Sequence, residues 1–126
     1  MPASEKRIEP RRNVYHKWVI AISPSTEEGK AQSEFVSGII IDLSSKGVGV
    51  FLPEYIDVQT RVVALVKANG SEQQVHAEVR WCNRIPTSGR VIKAKDTALR
   101  WRAGLRFDFQ SDEQRQAIKQ LYETLK

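Results

Sequence analysis

The chain has 126 residues, 40% hydrophobic and 28% charged, which is enough for one buried core but not for two comfortable domains, and which excludes global disorder. One cysteine, Cys82, excludes an internal disulfide, and no apolar run approaches the roughly 20 residues of a membrane span. The net charge of +5 favours anionic partners such as nucleic acid, nucleotides or an acidic membrane surface.

Residues 1–13, "MPASEKRIEPRRN", are basic and lack the apolar stretch of a secretion signal, so a reducing, cytoplasmic setting is expected. Arg7 and Arg11 stand four apart with Lys6 and Arg12 beside them, a spacing that would share one face of a helix. Pro10 disfavours a helix because its ring cannot sit in a helix interior and it holds Glu9 extended. The segment reads as an extended or mobile arm without apolar anchors. Guanidinium groups on such an arm can bind phosphate bidentately, stack on a base, or pair with guanine O6 and N7. A solvated basic tail is the alternative.

Residues 14–110 read as strands. In "VYHKWVIAI", Val14, Trp18, Ile20 and Ile22 share a period-two face, a polar loop spans 23–33, and "EFVSGIIIDL" resumes β-branched residues up to Leu43. "VGVFL" and "RVVALVKA" follow, the second ending at Asn69-Gly70, a hairpin signal because both positions tolerate positive φ. In the returning strand, Val75, Ala77, Val79 and Trp81 alternate with His76, Glu78, Arg80 and Cys82, which predicts Trp81 inside and Cys82 outside. A basic loop, 84–98, leads to "LRWRAGLRFDF", whose apolar face is Leu99, Trp101, Ala103, Leu105, Phe107 and Phe109; Arg100, Arg102 and Arg106 on the other face are expected to solvate the sheet. In residues 111–126, Ser111 offers an N-cap with Gln114 three residues on, and Ile118, Leu121, Tyr122 and Leu125 fall at helical spacing. The expected fold is all-β with one C-terminal helix, a small antiparallel barrel covered by that helix.

Between two of these strands stands "DLSSKGVGV", Asp42 to Val50. Asp42 and Ser44 leave the strand end two apart, so a carboxylate can accept from guanine N1–H and its exocyclic amine while a hydroxyl meets a second polar group. Gly47 and Gly49 permit close backbone approach and positive φ. An Asx or Ser turn capping the strand end uses the same residues.

The arm "RIEPR" (Arg7 to Arg11), followed by "DLSSKG" (Asp42 to Gly47), "EVRW" (Glu78 to Trp81) and "AGLRF" (Ala103 to Phe107) in that order before a closing helix, resembles the PilZ domain family. The resemblance implies a six-stranded antiparallel barrel with a C-terminal helix and a bacterial receptor for cyclic di-GMP that needs no other cofactor. It implies that Arg7 and Arg11 wrap the ligand with Arg12 beside them, that Asp42 and Ser44 hold a guanine, and that Gly47 allows the turn. Lys6 occupies the position that helps decide whether one ligand or an intercalated pair is bound. Ordering of the arm would then regulate a separate partner protein.

Four other readings stand beside this one. His16, His76 and Cys82 lack metal-ligand spacing, and Ser44, His76 and Asp42 lack a nucleophile elbow, so neither a metal site nor an enzyme is expected. A PilZ-type protein-interaction module without ligand is one alternative. A barrel binding single-stranded nucleic acid is the less favoured one.

Overall fold

Alternating apolar residues become barrel strands because each strand buries one face. The structure is a computed structural model that describes residues 10–14, 17–86 and 99–125. Among these residues the elements are β1 (Arg12–Asn13), β2 (Val19–Pro24), β3 (Val36–Leu43), β4 (Gly47–Leu52), β5 (Arg61–Ala68), β6 (Ser71–Arg84), β7 (Trp101–Phe107) and α1 (Asp112–Glu123). All pairings are antiparallel, and the order β3-β2-β5-β6-β7-β4 returns to β3, closing a six-stranded barrel with β1 as an extra short strand on β3. Closure leaves no open sheet edge among the six. No helix among the described residues is long and apolar enough to cross a membrane.

The interior is filled by the residues that the alternation selects, including Ile20, Ile22, Ile40, Val50, Val62, Val75 and Leu105. Each such side chain contributes about 1.5–3 kcal/mol relative to exposure. Ile118, Leu121, Tyr122 and Leu125 join the same cluster, so the helix covers its own barrel. Asn69 (φ 53) and Gly70 (φ 80) form the β5–β6 turn with both central residues in the left-handed region.

The first strand differs from expectation. The run from Val14 is not one strand: β1 lies before it and hydrogen-bonds to β3 opposite Leu43 and Asp42, whereas β2 begins at Val19. The segment expected to be an unanchored arm is therefore anchored at its end. Arg12 reaches across to α1, where its Nη1 donates to Leu125 O at 2.7 Å and Tyr122 O at 3.3 Å, and its guanidinium lies 4.2 Å from the Tyr122 ring centroid. The Tyr122 hydroxyl donates to Pro10 O at 2.8 Å. Helix α1 has no basic residue in its last turn, so Arg12 supplies from a distant strand the cation that its free carbonyls favour.

At the helix start, Ser111 Oγ accepts from Gln114 N as expected. Gln114 Oε1 reaches past the cap residue to accept from Gln110 N at 3.1 Å and His76 N at 3.3 Å, tying the helix to β6.

Two β-bulges set which residues face out. In β3 the register with β4 shifts between Ile40 and Asp42, and in β6 the register with β7 shifts between Val79 and Trp81. Each extra residue reverses the alternation beyond it. Ile40 and Leu43 both point inward, leaving Asp42 outside. Likewise Val79 and Cys82 are buried while Trp81 is 39% exposed, which corrects the expected Trp81-in, Cys82-out phase.

Candidate functional site

The two bulges aim their residues at one stretch of the outer surface. Asp42 on β3 sits opposite Gly49 on β4, Gly49 opposite Gly104 on β7, and Gly104 opposite Trp81 on β6. A row across four neighbouring strands thus reads carboxylate, glycine, glycine, indole. With strands about 4.8 Å apart, its ends are roughly 14 Å apart along the sheet.

Both glycines are required by what lies over them. A Cβ on Gly49 would stand 2.7 Å from Asp42 Oδ1, and one on Gly104 would stand 2.3 Å from Trp81 Nε1. The carboxylate and the indole rest on bare backbone. Gly47 serves differently from the expectation: its φ is outside the left-handed region, and a Cβ there would approach Leu105 O to 2.6 Å. Close approach of backbones, not positive φ, is what excludes a side chain at that position.

Arg11 closes the Asp42 end. Its Nη1 donates to Asp42 Oδ1 at 2.9 Å, and Arg102 Nη2 stands 4.0 Å from Oδ2. The carboxylate is 15% exposed and the Arg11 side chain 49%, so the acceptor is held firmly and its donor lies partly in solvent. Between Arg11 and the Trp81 end, Arg11, Lys46, Arg80, Trp81 and Arg106 line a hollow floored by Gly47 and Gly104. Four cations and one indole line it, Arg11 paired with Asp42 and Arg80 with Glu78 at 3.3 Å beyond the lining, a setting for an anion that carries an aromatic ring.

Ser44 belongs to the turn. Its Oγ accepts from Lys46 N and Gly47 N, both at 3.2 Å, and Ser44 N donates to Gly47 O at 2.9 Å. The residue is 6% exposed, and its oxygen satisfies two backbone donors of a buried turn. Arg12 is turned away from this surface, toward Tyr122 and the helix end. Lys6 and Arg7 lie outside the described residues, as does His16. His76 is not brought to Asp42 or Ser44: its Nε2 faces Gly29 O at 2.8 Å and its Nδ1 faces Gln114 Nε2 at 3.1 Å.

Trp81, Arg102 and Arg106 were expected in the core or as solvated charges, yet they border the site. The signal that marks them is Gly104 in the middle of the most regular strand, since a strand glycine points to close approach by another group.

A comparison with protein-family models matches the PilZ domain over residues 5–124. The chain belongs to the PilZ domain family. No curated protein matches its sequence. Solved structures share the fold at low identity. The PilZ domain with c-di-GMP of YcgR from Escherichia coli is 16% identical with a TM-score of 0.66, covering 95% of this chain and 91% of that one. The PilZ domain of CeSA from a cellulose-synthesizing bacterium is 17% identical with a TM-score of 0.57, covering 91% and 96%. The Bacillus subtilis inhibitor of motility MotI/DgrA is 16% identical with a TM-score of 0.63, covering 98% of this chain and 56% of that longer one. The PilZ domain described here therefore accounts for the chain almost end to end.

Proposed function

We propose that this PilZ domain is a cytoplasmic, non-enzymatic receptor for cyclic di-GMP, with residues 1–13 as a ligand-binding arm, 14–110 as the barrel and 111–126 as its closing helix. The observation that carries the reading is the row Asp42, Gly49, Gly104, Trp81 with Arg11 on its carboxylate. Guanine suits both ends of that ion pair. Its N1–H and exocyclic amine donate to Asp42 while its O6 and N7 accept from Arg11, so the base replaces each partner with an equivalent one.

The exchange is favourable on magnitude. An exposed ion pair is worth about 0–1 kcal/mol, whereas each hydrogen bond to a charged group contributes about 1.5–3 kcal/mol. The Trp81 indole offers a stacking surface worth about 1–3 kcal/mol per base. The phosphates meet Arg80, Arg106 and Lys46. Arg7, with Lys6 ahead of it, joins from the arm, Ser44 acts by holding the turn in shape, and Gly47 keeps the backbone close. Ligand contacts order the arm residues ahead of the anchor at Pro10 to Asn13, and the altered surface regulates a separate partner protein.

The rival reading, a PilZ-type interaction module without ligand, draws on the fact that Arg11 and Asp42 already satisfy one another. Calorimetric titration with cyclic di-GMP, beside GTP, separates the two. The expected result is saturable binding of cyclic di-GMP alone, weakened roughly 10- to 150-fold by Arg11→Ala and by Asp42→Ala. An absence of heat and of thermal protection in the wild type would transfer the function to protein contacts.

A further inference from the structure

A second basic hollow lies beside the first and is formed by three separate elements. The 44–47 turn contributes Ser45 and Lys46, the end of β7 contributes Arg106 and Phe107, and the segment into α1 contributes Phe109, Arg115 and Lys119. Four of these residues are cations and none is a carboxylate. Arg115 and Lys119 stand one helical turn apart on the same face, and Lys46 and Arg106 stand on the opposite wall; Arg115 Nη1 lies 3.5 Å from Asp112 Oδ1, a pair that offsets one of the four charges and leaves an excess of like charge around the groove. A bound anion relieves it. The geometry is held from both sides: Phe107 N donates to Lys46 O at 2.9 Å, fixing the turn against β7, and Ser111 caps the helix.

The chemistry of the floor decides which anion fits. Phe107 and Phe109 stack on one another at 5.2 Å, Phe107 is 8% exposed, and the Arg115 guanidinium covers the Phe109 ring at 5.5 Å. No aromatic face is left open for a base, unlike the Trp81 surface next door. A nucleotide or single-stranded nucleic acid would meet cations without a stacking platform. Carboxylate side chains need only the cations, with their short apolar stems lying along the Phe edges. We propose that this groove between the 44–47 turn and helix α1 binds an acidic peptide segment of a partner protein.

Arg115 and Lys119 belong to this groove and not to the glycine-floored site, so they separate the two. The full chain is titrated with a fluorescein-labelled, glutamate-rich peptide and, in parallel, with oligothymidylate of equal charge. The peptide should bind saturably, and Arg115→Glu with Lys119→Glu should weaken it by about tenfold or more through lost and reversed charges. Lys17→Glu with Lys67→Glu, the same charge change on another face, should alter it by less than about threefold. Amide shifts on peptide addition should cluster at Ser45, Lys46, Phe109, Arg115 and Lys119, which reads the site directly should the reversed pair unfold. Absence of saturable binding, equal loss in the Lys17 and Lys67 variant, or tighter binding of oligothymidylate at those same amides would overturn the proposal. Cyclic di-GMP is left out of every arm, so the outcome is independent of the receptor reading.

Discussion

Adding one methyl group at Gly104 should weaken the ligand without weakening the fold. An alanine Cβ there would stand 2.3 Å from Trp81 Nε1 and 2.5 Å from Cε2, so the indole must retreat by about 1 Å to reach ordinary contact distance. The indole is free to do so because it rides on a bulge at 39% exposure and no backbone atom is among the close contacts. The φ of Gly104 is one that alanine tolerates, so the substitution also removes unfolded-chain entropy worth about 0.4–1 kcal/mol, which offsets the disturbed packing. Net stability should stay within about 1 kcal/mol, a few degrees in Tm. Stacking on the displaced indole, worth about 1–3 kcal/mol, should be largely lost, giving a fall in cyclic di-GMP affinity of roughly 5- to 150-fold. Calorimetric titration and a thermal melt on the same preparation read both quantities, with Trp81→Ala marking complete loss. Affinity within twofold of wild type would show that the indole is not part of the ligand surface. A stability loss above about 3 kcal/mol would show that Trp81 is structural packing instead.

Gly47→Ala should weaken the fold as well, because its Cβ meets Leu105 O, a backbone atom that cannot step aside; a loss of about 1–3 kcal/mol in denaturant unfolding is expected. Ser44→Ala removes the acceptor of Lys46 N and Gly47 N and should lower stability by about 1–3 kcal/mol, measured the same way. Arg12→Ala should cost about 1–3 kcal/mol and expose the amides at the end of α1 to hydrogen exchange, yet shift ligand affinity far less than Arg11→Ala. Equal affinity losses for the two would mean that Arg12 leaves the helix to contact ligand. Tyr122→Phe deletes the hydroxyl bond to Pro10 O, costs about 0.5–1.5 kcal/mol, and should speed backbone motion of residues 10–13 in relaxation measurements.

The barrel was legible because its evidence is local. Period-two alternation along Arg61 to Ala68 and Trp101 to Phe107, the Asn69-Gly70 turn, and Ser111 ahead of Ile118, Leu121, Tyr122 and Leu125 each follow from side-chain direction and backbone preference in a few neighbouring residues. The family resemblance was legible for the same reason, since its motifs are short and ordered along the chain. The outer surface was not, because its phase depends on what each strand pairs with. Nothing within "EVRWCN" says that Arg80 bulges; that follows from Val79 meeting Leu105 while Trp81 meets Gly104 on β7. The same holds for Asp42, which turns outward because its register with Gly49 skips Ile41. Arg12 shows the point in another form. Beside Arg11 in the sequence it reads as one more ligand-binding cation, but pairing on β3 makes successive side chains diverge, so Arg11 meets Asp42 while Arg12 meets the helix end. Residue order determined which groups the protein carries and which segments are strands or helix; only barrel closure decided which of those groups face one another, because that choice is made by partners tens of residues away.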